Sequence, residues 1–374
     1  MQNLLKTDEE TMLTDSARGF LDQAAPVSEF RKLRDSGTSY DPALWRQMAE
    51  LGWAGILVPE ANGGADMGHA AAGLLAGEMG KTLVASPFLS TAVMAATALR
   101  QVSGSRAGEA LTAIAKGELT YALAIDESAK HDPVKARLAA HKVGNGYQLN
   151  GEKTFVVDGG FADRVLVLAR TGEGETALTL FDLPADHDGI ARTSKAMVDA
   201  RDAAQLSFEN VAATGEDILG TLDDAMTVLG PALQAGQAAL AAEMAGLATG
   251  AFDMTVGYLK ERQQFGVTIG AFQALQHRAA HLWSEIEVTA SAITHAGRML
   301  DQDPDNATLA VSLAKARATQ TAKLAVIEGV QMHGGIGMTD AFDMGFYMKR
   351  ARVAAEWLGD YSYHAEQVAQ CRGF

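Results

Sequence analysis

The spacing of apolar and polar positions divides the chain into three kinds of stretch. From about residue 8 to residue 118, apolar side chains recur at helical intervals. Met12, Leu13 and the run Ala17 to Leu21 mark one amphipathic segment. Leu44, Met48 and Leu51 mark another, which Asp41 opens as N-cap with Pro42 at the first helical position. His69 to Leu83 and Pro87 to Leu99 continue the helical reading. Near Leu119 the pattern changes. Thr120 to Ile125, Tyr147 to Asn150, Arg164 to Ala169, Ala177 to Phe181 and Gln205 to Phe208 are short and β-like. Asn145-Gly146, Asn150-Gly151, Gly159-Gly160 and Gly172 supply turns between them. From about Asp223 the helical period returns. Ala225 to Arg262 is one long apolar run, dense in Ala and Gly and interrupted by Pro231. His277 to Leu300 follows, with Leu282, Ile286 and Ile293 on one stripe. A third helix is expected from Asp305-Asn306-Ala307 to Met332 and a fourth from Phe346 to Gln370. The predicted fold class is α+β. It has an N-terminal helical domain (1–118), a central β domain that is a small barrel or sandwich (119–217), and a C-terminal four-helix bundle (218–374).

Composition narrows the function. A chain of 374 residues exceeds a usual single core, which agrees with several domains. The net charge of -15 argues against nucleic acid as the main partner, because phosphate neutralisation needs a basic face. Cys371 is the single cysteine, so no intrachain disulfide is expected, which suits a reducing cytoplasm. The first ten residues carry no basic and then apolar pattern of a signal peptide, and no apolar run reads as a membrane span.

Two stretches carry the candidate chemistry. Arg262 to His277 is a Gln-rich helix end, a Gly-broken turn and a new helix start. Gln331 to Met338 is a second Gly break. Helix ends of this kind offer unpaired backbone N–H groups and a fixed guanidinium, which together can hold an anion. The alternative is a pair of ordinary solvated helix ends. His333 and His277 read as packing or capping histidines rather than as acid or base.

Tyr258-Leu-Lys-Glu-Arg-Gln-Gln-Phe-Gly266, Phe272-Gln-Ala-Leu-Gln276 and Gln331-Met-His-Gly-Gly-Ile-Gly-Met-Thr339, in this order, resemble the acyl-CoA dehydrogenase family of flavoproteins. Leu51-Gly-Trp53, Pro59-Glu60, Gly63-Gly64 and Leu149-Asn-Gly-Glu-Lys153 add weaker matches. The resemblance covers nearly the whole chain and implies FAD bound across a subunit interface. It implies that Arg262 pairs with the pyrophosphate, Phe265 packs against the nucleotide and Gln273 bonds to the adenosine half. It also implies that Gln331, Gly334 and Gly335 line a close approach to the diphosphate. The implied reaction is α,β-dehydrogenation of an acyl-CoA, with electron-transfer flavoprotein as a possible acceptor.

The departures from the family pattern are grouped. Its catalytic glutamate occupies one of two places, which here hold Leu358 and Gly236. An arginine that often follows the second is Gln237. The Thr-Glu-Pro loop over the flavin is replaced by Ile125 to Asp132, and the threonine that contacts the flavin N5 by Val157. The pyrophosphate side is therefore kept, while the isoalloxazine side and the base are lost. The chain resembles the base-less subunit of heteromeric bacterial members that act on steroid side chains or pimeloyl-CoA. This implies a catalytic acyl-CoA dehydrogenase partner in an α2β2 heterotetramer. Asp360, Glu356 and Glu243 are the nearest spare carboxylates, and helical spacing would turn Asp360 and Glu356 away from the Leu358 face. Two other readings stand beside this one. One is a self-sufficient flavoenzyme whose base is Asp126, Glu127, His131 or Asp360; the other is a non-enzymatic scaffold subunit.

Overall fold

Thr7 begins the first helix with a reciprocal cap. Its hydroxyl accepts from the Glu10 amide and the Glu10 carboxylate accepts from the Thr7 amide. The computed structural model describes residues 5–174 and 176–374. The N-terminal helices are α1 (Asp8–Ala24), α2 (Val27–Asp35), α3 (Pro42–Glu50), α4 (Gly68–Thr82), α5 (Ala96–Leu99) and α6 (Ser105–Ala115). The Asp41 carboxylate caps α3 by accepting from the Ala43 amide, with Pro42 next in line as expected. The stretch read as one helix from Pro87 is instead a π-helical run, Phe88–Ala95, that leads into α5. All of its side chains are buried, so a periodic pattern has no polar face to report.

The middle of the chain is a curled seven-stranded sheet: β1 (Tyr121–Ala124), β2 (Ala139–Val143), β3 (Gly146–Val157), β4 (Arg164–Arg170), β5 (Leu178–Pro184), β6 (Ile190–Ser194) and β7 (Ala203–Ala213). Its order is β1-β4-β2-β3-β7-β6, and β5 pairs with β4. One face buries Val165, Val167, Leu149, Leu206, Phe208 and Phe181. Strands β2 and β6 leave no mark in the apolar pattern. Ala139-Ala-His-Lys-Val143 has little β-branched content, and β6 is exposed apart from Ile190. Strand β3 is much longer than the Tyr147–Asn150 reading, because it continues through two register shifts against β7. Phe155 sits at the second shift with a positive φ of 51°.

The C-terminal helices are α7 (Ala225–Glu261), α8 (Gln273–Gln302), α9 (Thr308–His333), α10 (Met344–Glu356) and α11 (Tyr361–Cys371). Pro231 does not end α7; it lies in the second turn and the helix runs on to Glu261. The expected fourth helix is two helices. Leu358 and Gly359 both have positive φ, 58° and 103°, and Asp360 restarts the chain as N-cap of α11 by accepting from the Tyr363 amide.

The chain forms two compact bodies. One comprises residues up to 36, 69–84 and 237–374; the other comprises 37–68 and 85–236. In the first, α4 and α7 meet almost backbone to backbone. A Cβ on Gly246 would lie 1.8 Å from the Gly77 carbonyl oxygen, and one on Gly80 would lie 2.1 Å from that of Glu243. The Ala and Gly density of α7 is what permits this crossing. Arg350 and Glu243 are buried beside it as an ion pair at 3.5 Å, and Arg350 also donates to the Val84 carbonyl.

Candidate functional site

Helix α7 stops at Glu261, and the chain makes a tight two-stranded ribbon, Gln263–Gln264 (β8) against Val267–Thr268 (β9). Phe265 and Gly266 form its two-residue turn, both with positive φ, 55° and 79°. That is a type I′ turn, which normally carries Asn or Gly at the first position. A phenylalanine there is strained by about 1 kcal/mol or more, and its ring is 92% exposed. Its nearest aromatic neighbour is Phe272, with ring centroids 6.1 Å apart. The ribbon is tied back where the Ile269 amide donates to the Arg262 carbonyl at 2.8 Å. The Gln276 side chain donates to the Gly270 carbonyl at 2.9 Å. Gln273 then opens α8.

The end of α9 lies against the same end of α7. The Tyr258 ring, one turn before Arg262, is 4.6 Å from the His333 ring, and Phe342 packs on His333 at 4.6 Å. Gly334, with φ of 66°, ends α9 by donating its amide to the Gln331 carbonyl. Arg262 and the residues Gln331, Gly334 and Gly335 therefore lie at adjoining helix ends, all exposed, and exposed Phe265 and Gln273 follow Arg262 on the ribbon and at the start of α8. The side chains of Arg262, Gln273 and Gln331 make no hydrogen bond or ion pair to another described residue. A guanidinium, two amides, an exposed ring and a side-chain-free glycine turn suit an aromatic nucleotide with a diphosphate. His333 is the packing histidine expected; His277 is exposed on the first turn of α8. Sequence reasoning misses the linking residues Tyr258 and Phe342. Tyr258 stands at the head of a recognisable motif, while Phe342 has no signal at all.

The positions expected to hold a base are closed. Leu358 is buried, and its carbonyl accepts from Gln237 Nε2 at 3.2 Å and pairs with His364 Nε2 at 3.0 Å. Next to it the fully buried Lys315 donates to the Ala354 and Gly359 carbonyls, each at 3.1 Å. Burial pulls the Lys315 pKa down to about 7, against the opposing charges of Glu356 and Asp360. The helical-spacing argument about Glu356 and Asp360 does not apply, because Leu358 sits in a turn rather than in a helix. Both carboxylates are engaged for other reasons: Asp360 caps α11, and Glu356 pairs with Arg352 at 3.2 Å. Gly236 is buried within α7, in the other body from Leu358.

The loop from Ile125 to Asp132 is equally self-contained. Lys153 is fully buried and donates to Glu127 Oε1 at 2.7 Å and to the Ile125 carbonyl at 3.3 Å. Burial opposes ionisation of Glu127. The Lys153 charge and hydrogen bond, with the Leu138 and Arg137 amides, outweigh it and hold the carboxyl below its usual value. Burial lowers the Lys153 pKa, with Glu127 opposing. Asp126 contacts His131 Nδ1 at 2.9 Å and accepts from the Asp132 amide at 3.3 Å. Val157 is buried in β3 and offers no hydroxyl. No cluster of His, Cys, Asp and Glu fit for a metal occurs among the described residues, and no helix among them is long and apolar enough to cross a membrane.

Comparisons with known proteins bear on the family and the fold. Residues 7–118 match the acyl-CoA dehydrogenase N-terminal domain and residues 224–371 the acyl-CoA dehydrogenase C-terminal domain. Acyl-CoA dehydrogenase IpdE2 of Mycobacterium tuberculosis is 31% identical over 352 residues, covering 94% of this chain and 93% of that protein. The structure of a variant of the Tcur3481–Tcur3483 steroid ACAD superposes with a TM-score of 0.87 at 28% identity, covering 98% of both chains. The ChsE4–ChsE5 complex from Mycobacterium tuberculosis shares the fold, with a TM-score of 0.90 at 23% identity and 99% and 98% coverage. A glutaryl-CoA dehydrogenase from Mycobacterium smegmatis, solved with FADH2, has the same fold at a TM-score of 0.89 and 20% identity, with 99% and 95% coverage. These matches lead to one assignment: the chain belongs to the acyl-CoA dehydrogenase family, whose cofactor is FAD.

Proposed function

We propose that the chain is the base-less subunit of a heteromeric FAD-dependent acyl-CoA dehydrogenase. It lends the pyrophosphate and adenine half of a flavin site to a catalytic partner, in an α2β2 arrangement. The observation that carries this reading is a division of polar groups. Arg262, Gln273 and Gln331 are exposed and without partners among the described residues, whereas the groups around Leu358 and in the loop 125–132 are bonded to one another. A lent site faces outward; an active site needs a carboxylate aimed at substrate. The related steroid ACAD, built from two differently named chains, supports the heteromeric reading and favours a bulky acyl-CoA substrate. A dicarboxylic acyl-CoA is the second substrate class. We retain 1–118, 119–217 and 218–374 as the domain boundaries.

In this assignment Arg262 neutralises the diphosphate with a two-pronged donor. Phe265 gives the nucleotide an apolar face, and Gly334 and Gly335 let it approach the backbone. Gln273 and Gln331 orient it through their amides. The bound FAD supplies the hydride acceptor for α,β-dehydrogenation. The α-proton is removed by the partner's glutamate, since Asp126, Glu127, His131 and Asp360 are all held in intrachain bonds here.

The test is flavin per chain and acyl-CoA oxidation, measured for the purified chain and for the complex co-expressed with its partner. The chain alone should carry little flavin and no turnover, and the complex about one flavin per two chains. Full flavin occupancy and turnover from the chain alone would instead place a base in it. An intact flavin content in an Arg262→Ala complex would leave only the scaffold role.

A further inference from the structure

His333 is 3% exposed, and it packs against the rings of Tyr258 and Phe342, each with its centroid 4.6 Å away, which also touch each other edge-on at 6.1 Å. Its Nδ1 lies 2.7 Å from the Gly329 carbonyl, one turn back in α9. A carbonyl can only accept, so Nδ1 carries a proton. The other nitrogen, Nε2, is buried and has no partner among the described residues. Three segments thus converge on one imidazole: Tyr258 from α7, one turn before Arg262; the end of α9, just before Gly334; and Phe342, between Gly337 and α10. We propose that His333 is a positioning residue for the cofactor half-site. Its imidazole, fixed by one nitrogen and by contact with two aromatic rings, pins the Gly334–Gly335 turn to the Arg262 end of α7. The inference rests on the half-site proposed above.

The arrangement requires a neutral ring. A second proton would place a charge and an unpaired N–H at Nε2, in a buried aromatic cluster. The Tyr258 phenol is the titratable group facing it from α7, and the segment before α10 presents Phe342. Burial holds the His333 pKa below the ordinary histidine value, against the Gly329 hydrogen bond, and no charged side chain contributes. The unfolded chain therefore binds the proton more readily than the native one. The clamp is intact above the ordinary histidine pKa of about 6.5 and loses stability as pH falls below it. Acid should then loosen the turn and release flavin before the helices melt.

Two measurements test this, and only the second depends on the cofactor reading. In the isolated full chain, labelled at histidine, nitrogen NMR should show a signal protonated at Nδ1 alone that titrates below the ordinary value of about 6.5. That signal should vanish in His333→Phe. A His333 ring protonated at Nε2, or one titrating at the ordinary histidine value of about 6.5, overturns the proposal whether or not flavin binds. In the complex, His333→Ala should weaken FAD binding about tenfold. His333→Phe, which keeps the ring contacts with Tyr258 and Phe342, should restore most of it and remove the acid release below about pH 6.5. An unchanged acid profile in His333→Phe overturns the positioning role. Flavin content indifferent to Arg262→Ala sinks the half-site itself and leaves the NMR result standing on its own.

Discussion

At the ends of α7 and α9 and the start of α8 three polar side chains are exposed and unbonded within the described chain; at the turn between α10 and α11 the polar side chains are bonded to the turn and its caps. Arg262, Gln273 and Gln331 have no intrachain partner among the described residues. Around Leu358, by contrast, Gln237, Lys315, His364 and Asp360 use their donors and acceptors on the turn itself. Folding alone gives no reason to strand a guanidinium beside two amides and to place a phenylalanine in a turn that strains it. It gives a good reason to satisfy buried carbonyls. On the half-site proposal, the difference separates groups kept for a ligand from groups that satisfy the fold.

The sharpest way to break this contrast is to put a base back. Leu358→Glu would bury a carboxyl in a turn already filled by its own bonds, at a cost of about 3 kcal/mol. Chemical denaturation should register that loss, and the chain alone should still fail to oxidise acyl-CoA. Turnover in this variant would show that the turn is a dormant active site rather than a closed one. Next in size, Arg262→Ala should weaken FAD binding by the complex about 10- to 100-fold, the worth of a charged hydrogen bond to phosphate. Arg262→Lys should recover only part of it, because an ammonium cannot fork. Flavin absorbance of the purified complex reads both. Phe265→Gly should stabilise the free chain by about 1 kcal/mol by relieving the left-handed backbone, while reducing flavin retention in the complex. A variant that gained stability at no loss of flavin would remove Phe265 from the site.

The last expectation is a slope. The Lys315 amine titrates near 7 in the folded chain, well below its unfolded value. Between about pH 7 and pH 10 the unfolded chain binds more protons, so native stability should rise with pH across that window. Lys315→Met should lack this rise, as thermal melts over the range would show. Parallel pH curves for the two proteins would mean that the buried amine titrates where an exposed one does.

Long-period features were legible in the sequence. The helical run of α7, the stripe of α8 and the Asp41-Pro42 start of α3 declare themselves by spacing and caps. The six residues of the proposed half-site were singled out by the order of their motifs, and the structure adds that Arg262, Phe265, Gln273, Gln331, Gly334 and Gly335 are exposed. Strands β2 and β6 were not, since their side chains are neither β-branched nor clearly alternating. The break at Leu358 hid because its signal, Leu-Gly-Asp, is only three residues long inside an apolar helical pattern. The Lys153–Glu127 pair hid for another reason: its members are 26 residues apart and meet only when β3 is laid down. The role of Tyr258 was likewise set by packing between distant helices, which a local pattern does not encode.

The ribbon tip at Phe265 has a consequence for how such a chain is made. An aromatic ring held 92% in water, with Phe272 and Ile336 also exposed nearby in the chain's two Gly breaks, is an adhesive surface on any molecule that lacks its complement. Solubility is then a matter of dosage. Chain produced in excess over its partner would associate through these tips, and matched production would keep the preparation clear.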